Sequence, residues 1–304
     1  MIAQGLHLQS FESLIVKKPQ HITILISVVV LSLLFVFGKT IHKPEHGPDD
    51  GHDHATQNTE GQGLTSSIQI DSLLIEVKKE LSAEQISRLD LLEKSISQSD
   101  RKNQQIHVFH QLANFWRDTG RHFIPYTWYT AEAARLENSE KSLTFAGHLL
   151  LNGLQQQHDP ELRKWMALQS KDLFERSLIL NPDNDSSKVG VGATYLFGGI
   201  SQMPMEGINK VKEVTNRDST NVYAQMTLAM GSLMSGQTEK AQERLLTVTR
   251  LQPDNAEAAL LLGDLFEKKG NKALAITYYS KASAVIKRTD IKAEIDKRIS
   301  DLKK

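Results

Sequence analysis

The chain has 304 residues, and its 36 Lys and Arg balance its 36 Asp and Glu to a formal net charge of zero. That balance leaves no electrostatic footprint for nucleic acid, so a sequence-blind basic DNA binder is excluded. The absence of cysteine removes disulfide frameworks, thiolate zinc sites and cysteine nucleophiles by inventory.

The first strong element is apolar. ITILISVVVLSLLFVFG, residues 22–38, carries no charge and only Thr23, Ser27 and Ser32 as mildly polar residues. At the helical rise it reaches about 25 Å, near the short limit for crossing a bilayer's hydrocarbon core. We expect a transmembrane helix rather than a cleaved signal peptide, because roughly twenty residues precede the run and GKTIHKP follows it without a small-residue cleavage site. Lys17 and Lys18 lie close to the membrane on one side, with Lys39 and Lys43 on the other. Large domains translocate largely regardless of charge, so the near pair sets the orientation. The expectation is a cytoplasmic tail over 1–21 and a single-pass protein whose bulk lies outside. In a bacterium with two membranes, that means the inner (cytoplasmic) membrane and a periplasmic C-terminal domain.

Residues 39–65 are rich in Pro, Gly, Asp and His, with too few large apolar side chains to offset the entropy of ordering. They read as a disordered tether. His42, His46, His52 and His54 give it a metal-binding composition. A glycine-rich coil supplies neither fixed ligand geometry nor an ordered outer shell, however, so no metal site or cofactor is assigned. Metal handling by this tether stays an alternative function.

From residue 66 the pattern is helical, and no strand alternation follows. SSIQIDSLLIEVKKEL sets Ile70, Leu73, Leu74 and Val77 on one face, and SAEQISRLDLLEKSI opens with Ser82 and Gln85 in capping-box spacing. These predict a leading hairpin over 66–100. RKNQQIHVFHQLANFWRDTG then runs to Gly120 as a helix stop, and its partner follows through IPYTWYTAEAARLEN. SEKSLTFAGHLLLNGLQQQ pairs with a helix opened by Asp159, Pro160 and Glu161, an N-cap, a first-turn proline and a first-turn acid. The last segment, TDIKAEIDKRISDLKK, carries Ile291, Ile295, Ile299 and Leu302 on one stripe, as a terminal capping helix should.

The C-terminal half repeats itself. Laying Gly270 on Gly236 also lays Gly263 on Ala229, Ala275 on Ala241, Tyr279 on Leu245 and Ala282 on Val248. The shift is about 34 residues, the period of one helix–turn–helix repeat. LNPDN at 180–184 echoes LQPDN at 251–255 at roughly two such periods plus three residues.

These hairpins resemble the tetratricopeptide repeat. The best match runs from Ala256 to about Thr289, with Leu262, Gly263, Phe266, Gly270, Ala275, Tyr279 and Ala282 in the family's positions and Lys287 replacing its closing proline. Val222 to Asn255 keeps Leu228, Ala229, Gly236, Ala241, Leu245, Val248 and Pro253. A repeat from Asp185 has Val191, Gly192, Tyr195, Gly207, Val211 and Val214, with three residues inserted near GGISQMP. Farther upstream stand Ser170, Phe174, Ser177 and Pro182, then Leu112, Ala113, Trp116 and Gly120. The resemblance implies an all-α helical-hairpin solenoid over 101–304, in which small residues let paired helices approach and stacking buries the apolar face that no pair can bury alone.

No catalytic constellation accompanies the pattern. GVGATYLFGG lacks both nucleotide-loop spacings and follows no strand, so helix packing accounts for Gly190 and Gly192. His107 and His110 lie one turn apart without a third ligand. The chain therefore reads as a non-enzyme.

The resemblance places function on the groove built by the first helix of each pair. Its groove positions fall on Val189, Ala193, Leu196 and Phe197 in one repeat and on Tyr223, Met226, Met230, Leu233 and Met234 in the next, all apolar. The following repeat shows the polar set Glu257, Asp264, Glu267 and Lys268, with Leu260. Methionine is flexible and polarizable, so such a groove suits varied apolar partners. The expected function is a membrane-anchored scaffold or adaptor for other membrane or periplasmic proteins. It is similar in architecture to bacterial bitopic tetratricopeptide proteins, among them accessory factors of cytochrome c maturation and of secretion, which bind unfolded client segments. Burial of the same side chains by neighbouring helices, and self-association through them, are the competing readings.

Overall fold

The computed structural model describes residues 68–97, 101–200 and 204–304. The expected tail over 1–21, membrane helix over 22–38 and tether over 39–65 lie outside the described residues, as do residues 201–203 of GGISQMP. Among the described residues no helix is long and apolar enough to cross a membrane.

The described chain is all helix, without a strand. It opens with α1 (Ile70–Lys78) and α2 (Ala83–Ser97). Five antiparallel pairs follow: α3 (Lys102–Phe115) with α4 (Phe123–Glu137), α5 (Glu140–Leu154) with α6 (Pro160–Leu180), α7 (Asp185–Phe197) with α8 (Met205–Arg217), α9 (Val222–Met234) with α10 (Thr238–Leu251), and α11 (Ala256–Lys268) with α12 (Lys272–Val285). A last helix, α13 (Thr289–Leu302), packs on α12.

The sequence sets the helix ends. Ser82 and Gln85 form the reciprocal capping box, each accepting from the other's backbone N–H, at 3.2 and 2.8 Å. Asp159 Oδ1 accepts from the amides of Glu161 and Leu162 at 2.9 and 3.0 Å, with Pro160 opening α6. The echo between LNPDN and LQPDN gains a physical reason, because each ends on the asparagine that caps the next helix. Asn184 takes Ser187 N–H at 2.8 Å and Asn255 takes Ala258 N–H at 2.9 Å. Gly236 and Gly270 close α9 and α11 at φ 73° and 75°, where a side chain would be strained. The residue after each donates back across the turn at 2.8 Å, Gln237 to Ser232 and Asn271 to Phe266, forming a Schellman stop.

No single core runs through the stack. Leu74, Leu89, Leu112 and Trp116 bury one cluster across α1 to α4, and Leu143, Leu150, Phe174 and Val191 another across α4 to α7. Val189, Val211 and Leu228 join α7, α8 and α9. Ala229, Leu245, Leu262, Tyr279 and Ile295 continue through α13. Each cluster is shared between neighbouring pairs, as a repeat stack requires. Gly190 and Gly192 serve packing: a Cβ on Gly190 would meet the Phe174 ring at 2.5 Å, and one on Gly192 would meet the Gly207 carbonyl oxygen at 2.7 Å.

On α13, Ile295 and Ile299 are buried while Ile291 and Leu302 are half-buried. That is the expected stripe, now packed against α12 and the cluster behind it.

Candidate functional site

In the middle of the stack the first helices of successive pairs touch one another, α5 on α7 and α7 on α9, while the second helices barely meet. Helices that crowd on one side and spread on the other turn one face inward. The surface of these first helices presents six of the nine candidate residues.

Leu196, Phe197, Tyr223, Met230 and Leu233 are half-buried on it, and Met234 is 67% exposed. Leu196 reaches α9, where a Cβ on Gly231 would touch it at 3.4 Å. Val189, Ala193 and Met226 do not belong to the open surface. Each lies in a different core cluster, so its contacts are with neighbouring helices, and the groove assignment is corrected by removing all three. The burial reading therefore holds for three of the nine residues, and six keep some accessible surface.

The face also contains residues that sequence reasoning missed. Phe145 of α5 is 57% exposed, and with Glu140, Lys141, Thr144, His148 and Asn184 it lines an open cavity of about 450 Å³. His148 is the hub of the face: its Nε2 lies 2.7 Å from Ser186 Oγ on α7, and its ring stands 5.3 Å from the Tyr223 ring on α9 and 4.9 Å from Phe174 on α6. A single side chain thus joins three first helices. Burial lowers its pKa from the ordinary histidine value, which favours the neutral imidazole. The hydroxyl of Tyr223 is enclosed without a hydrogen-bond partner, and burial pushes its pKa up.

Beneath the cavity the polar groups are satisfied. Asn184 Nδ2 donates to Glu140 at 2.6 Å, and Thr144, Ser177 and Ser187 exchange hydroxyl contacts of 2.9 to 3.0 Å. This network fixes the floor and leaves Phe145 and Lys141 to face outward. The signal for it was present: laying Gly147 on Gly192 puts Thr144 on Val189 and His148 on Ala193.

Elsewhere the candidates separate. His110 Nε2 pairs with Glu137 at 2.6 Å and His107 is exposed, so the two do not converge. Among the described residues no group of three His, Asp or Glu is placed to hold a metal ion. His42, His46, His52 and His54 lie outside them. The polar set of α11 is engaged at the far end, where Asp264 and Glu267 hold the phenol of Tyr279 at 2.5 and 2.8 Å.

Residues 228–285 match the family model of the tetratricopeptide repeat. They span all but the first few residues of the expected repeat from Val222 to Asn255 and nearly all of the next. No curated protein matches the chain. Among solved structures, the chain is similar to YrrB, described as a TPR protein with an unusual peptide-binding site, at 16% identity over 68% of this chain and 97% of that one, with a TM-score of 0.38. It is also similar to PilF of Pseudomonas aeruginosa, at 13% identity over 66% and 85% of the two chains and a TM-score of 0.44. A third is PilW, described as a widely conserved type IV pilus biogenesis factor, at 15% identity over 70% and 90% with a TM-score of 0.42. Likenesses this distant carry no functional assignment.

Proposed function

We propose that the chain is a non-enzymatic docking scaffold that holds an apolar segment of another protein along the α5–α7–α9 face. The observation that carries this reading is the accessible apolar surface on adjoining first helices, Phe145, Leu196, Phe197, Met230, Leu233 and Met234, around a floor whose polar groups are already paired. Such a face gains by burying a partner's apolar side chains and asks for few directed polar contacts.

The apolar run at residues 22–38 makes the scaffold a membrane-anchored one, with the roughly 27 residues after it as the tether. Tethering raises the local concentration of the face near membrane partners, so a modest intrinsic affinity suffices. Partners are then membrane proteins or proteins on the far side of that membrane. Binding of unfolded client segments, as in cytochrome c maturation or secretion accessories, is the alternative to a general adaptor.

The test is selection from a random peptide library on the full-length chain, followed by calorimetry of the selected peptides. Phe145→Glu and Met234→Glu place charges on exposed positions and should weaken binding at least tenfold without loss of helicity. Unchanged affinity in both variants would remove the face from the assignment.

A further inference from the structure

His148 stands where two helix beginnings converge. Ser186, its hydrogen-bond neighbour, is the second residue of α7 after the Asn184 cap, and Tyr223, its ring neighbour, is the second residue of α9 after the Asn221 cap. Each helix start carries a partial positive charge from its unpaired N–H groups, so a cation between them is disfavoured by both.

The groups facing His148 offer no compensation. From α5 come Lys141, of the same sign, and Glu140, whose carboxylate is held by Asn184. From α6 comes the Phe174 ring, from α7 the Ser186 hydroxyl and from α9 the Tyr223 ring. Asp185, beside Ser186, is turned to Arg217. Among the described residues no carboxylate lies within ion-pair distance of the imidazole.

We propose that His148 is an acid-sensitive lock on the spacing of α5, α7 and α9: neutral, it closes the three first helices together, and on taking up a proton it loosens the face. The inference rests on the docking reading only in that it concerns the same face. In the closed form the histidine pKa lies below the ordinary value of about 6.5, so the closed state is fully favoured above that pH and loses its advantage as the opened state binds a proton below it. At pH 5.5, one unit lower, the opening equilibrium exceeds that at pH 7.5 by at most about tenfold.

Hydrogen exchange on the full-length chain at pH 7.5 and 5.5, corrected for intrinsic exchange, reads this directly. The first turns of α7 and α9 should open more at pH 5.5, by up to about tenfold, and His148→Gln, which keeps a hydrogen-bonding group for Ser186, should abolish the difference. Equal opening at the two pH values in the wild type, or the same acceleration in the variant, overturns the proposal. Should the variant fail to fold, a proton-resonance titration of the wild-type histidines decides: a His148 midpoint at or above 6.5 refutes the lock, and one clearly below it supports it. These readouts contain no partner, so they stand or fall separately from the peptide selection.

Discussion

Gly192 and Gly207 face each other across the α7–α8 pair so closely that a Cβ on either would fall against the other's carbonyl oxygen, at 2.7 and 2.6 Å. Neither obstruction is the end of a flexible side chain, so the pair cannot yield without moving the helices apart. Gly192→Ala and Gly207→Ala should each destabilise the fold by about 1–3 kcal/mol, the usual cost of overpacking, measured by urea unfolding. Gain of helix propensity works the other way and is smaller. A neutral or stabilising result in both would mean that the two backbones do not approach as described.

At the opposite end, Arg298 pairs with Asp264 and Glu267 at 2.9 and 2.8 Å and stands 4.9 Å over the Tyr279 ring. Both Arg298 and Asp264 are about half exposed, so solvent screens the pairs and Arg298→Ala should cost only about 0–1 kcal/mol. Ile295, 7% exposed on the same helix, should cost about 2–4 kcal/mol on truncation to Ala. The reverse order would show that charge rather than burial holds α13.

Tyr223 carries an enclosed hydroxyl without a partner. Removing an unsatisfied buried polar group relieves a desolvation cost instead of breaking a bond. Tyr223→Phe should therefore leave stability unchanged or raise it by up to about 1 kcal/mol. A clear loss in thermal unfolding would show that the hydroxyl is engaged.

The apolar run at 22–38 gives a separate prediction. The full-length chain should stay with the membrane after alkaline carbonate extraction, and a chain lacking residues 1–38 should move to the aqueous fraction. A full-length chain found in the aqueous fraction with its N-terminus intact would contradict the anchor.

The pattern was legible where the repeat period is regular. Gly236 and Gly270 have no Cβ, and each marks the left-handed stop of a first helix, so the C-terminal pairs could be laid on one another by sequence alone. The α5–α6 pair obeys the same packing rule with a different count. Gly147 meets Phe174 as Gly263 meets Tyr279, at 2.8 and 2.5 Å, but the loop before Asp159 and the length of α6 lengthen the unit. A fixed step of about 34 residues then misses it, and with it Thr144 and His148. Burial of Val189, Ala193 and Met226 was illegible for a different reason: one helix position can face a groove or a neighbouring helix according to how tightly successive pairs stack, and local sequence does not set that distance.

The docking face is tested most directly by photo-crosslinking in native membranes, with the crosslinking residue placed singly at Phe145 and Met234 on the face and at Ile75 and Ile179 as exposed apolar controls away from it. The expected result is one and the same protein captured from both face positions and from neither control. Capture from the controls as readily as from Phe145 and Met234, or no capture from either face position, would contradict it.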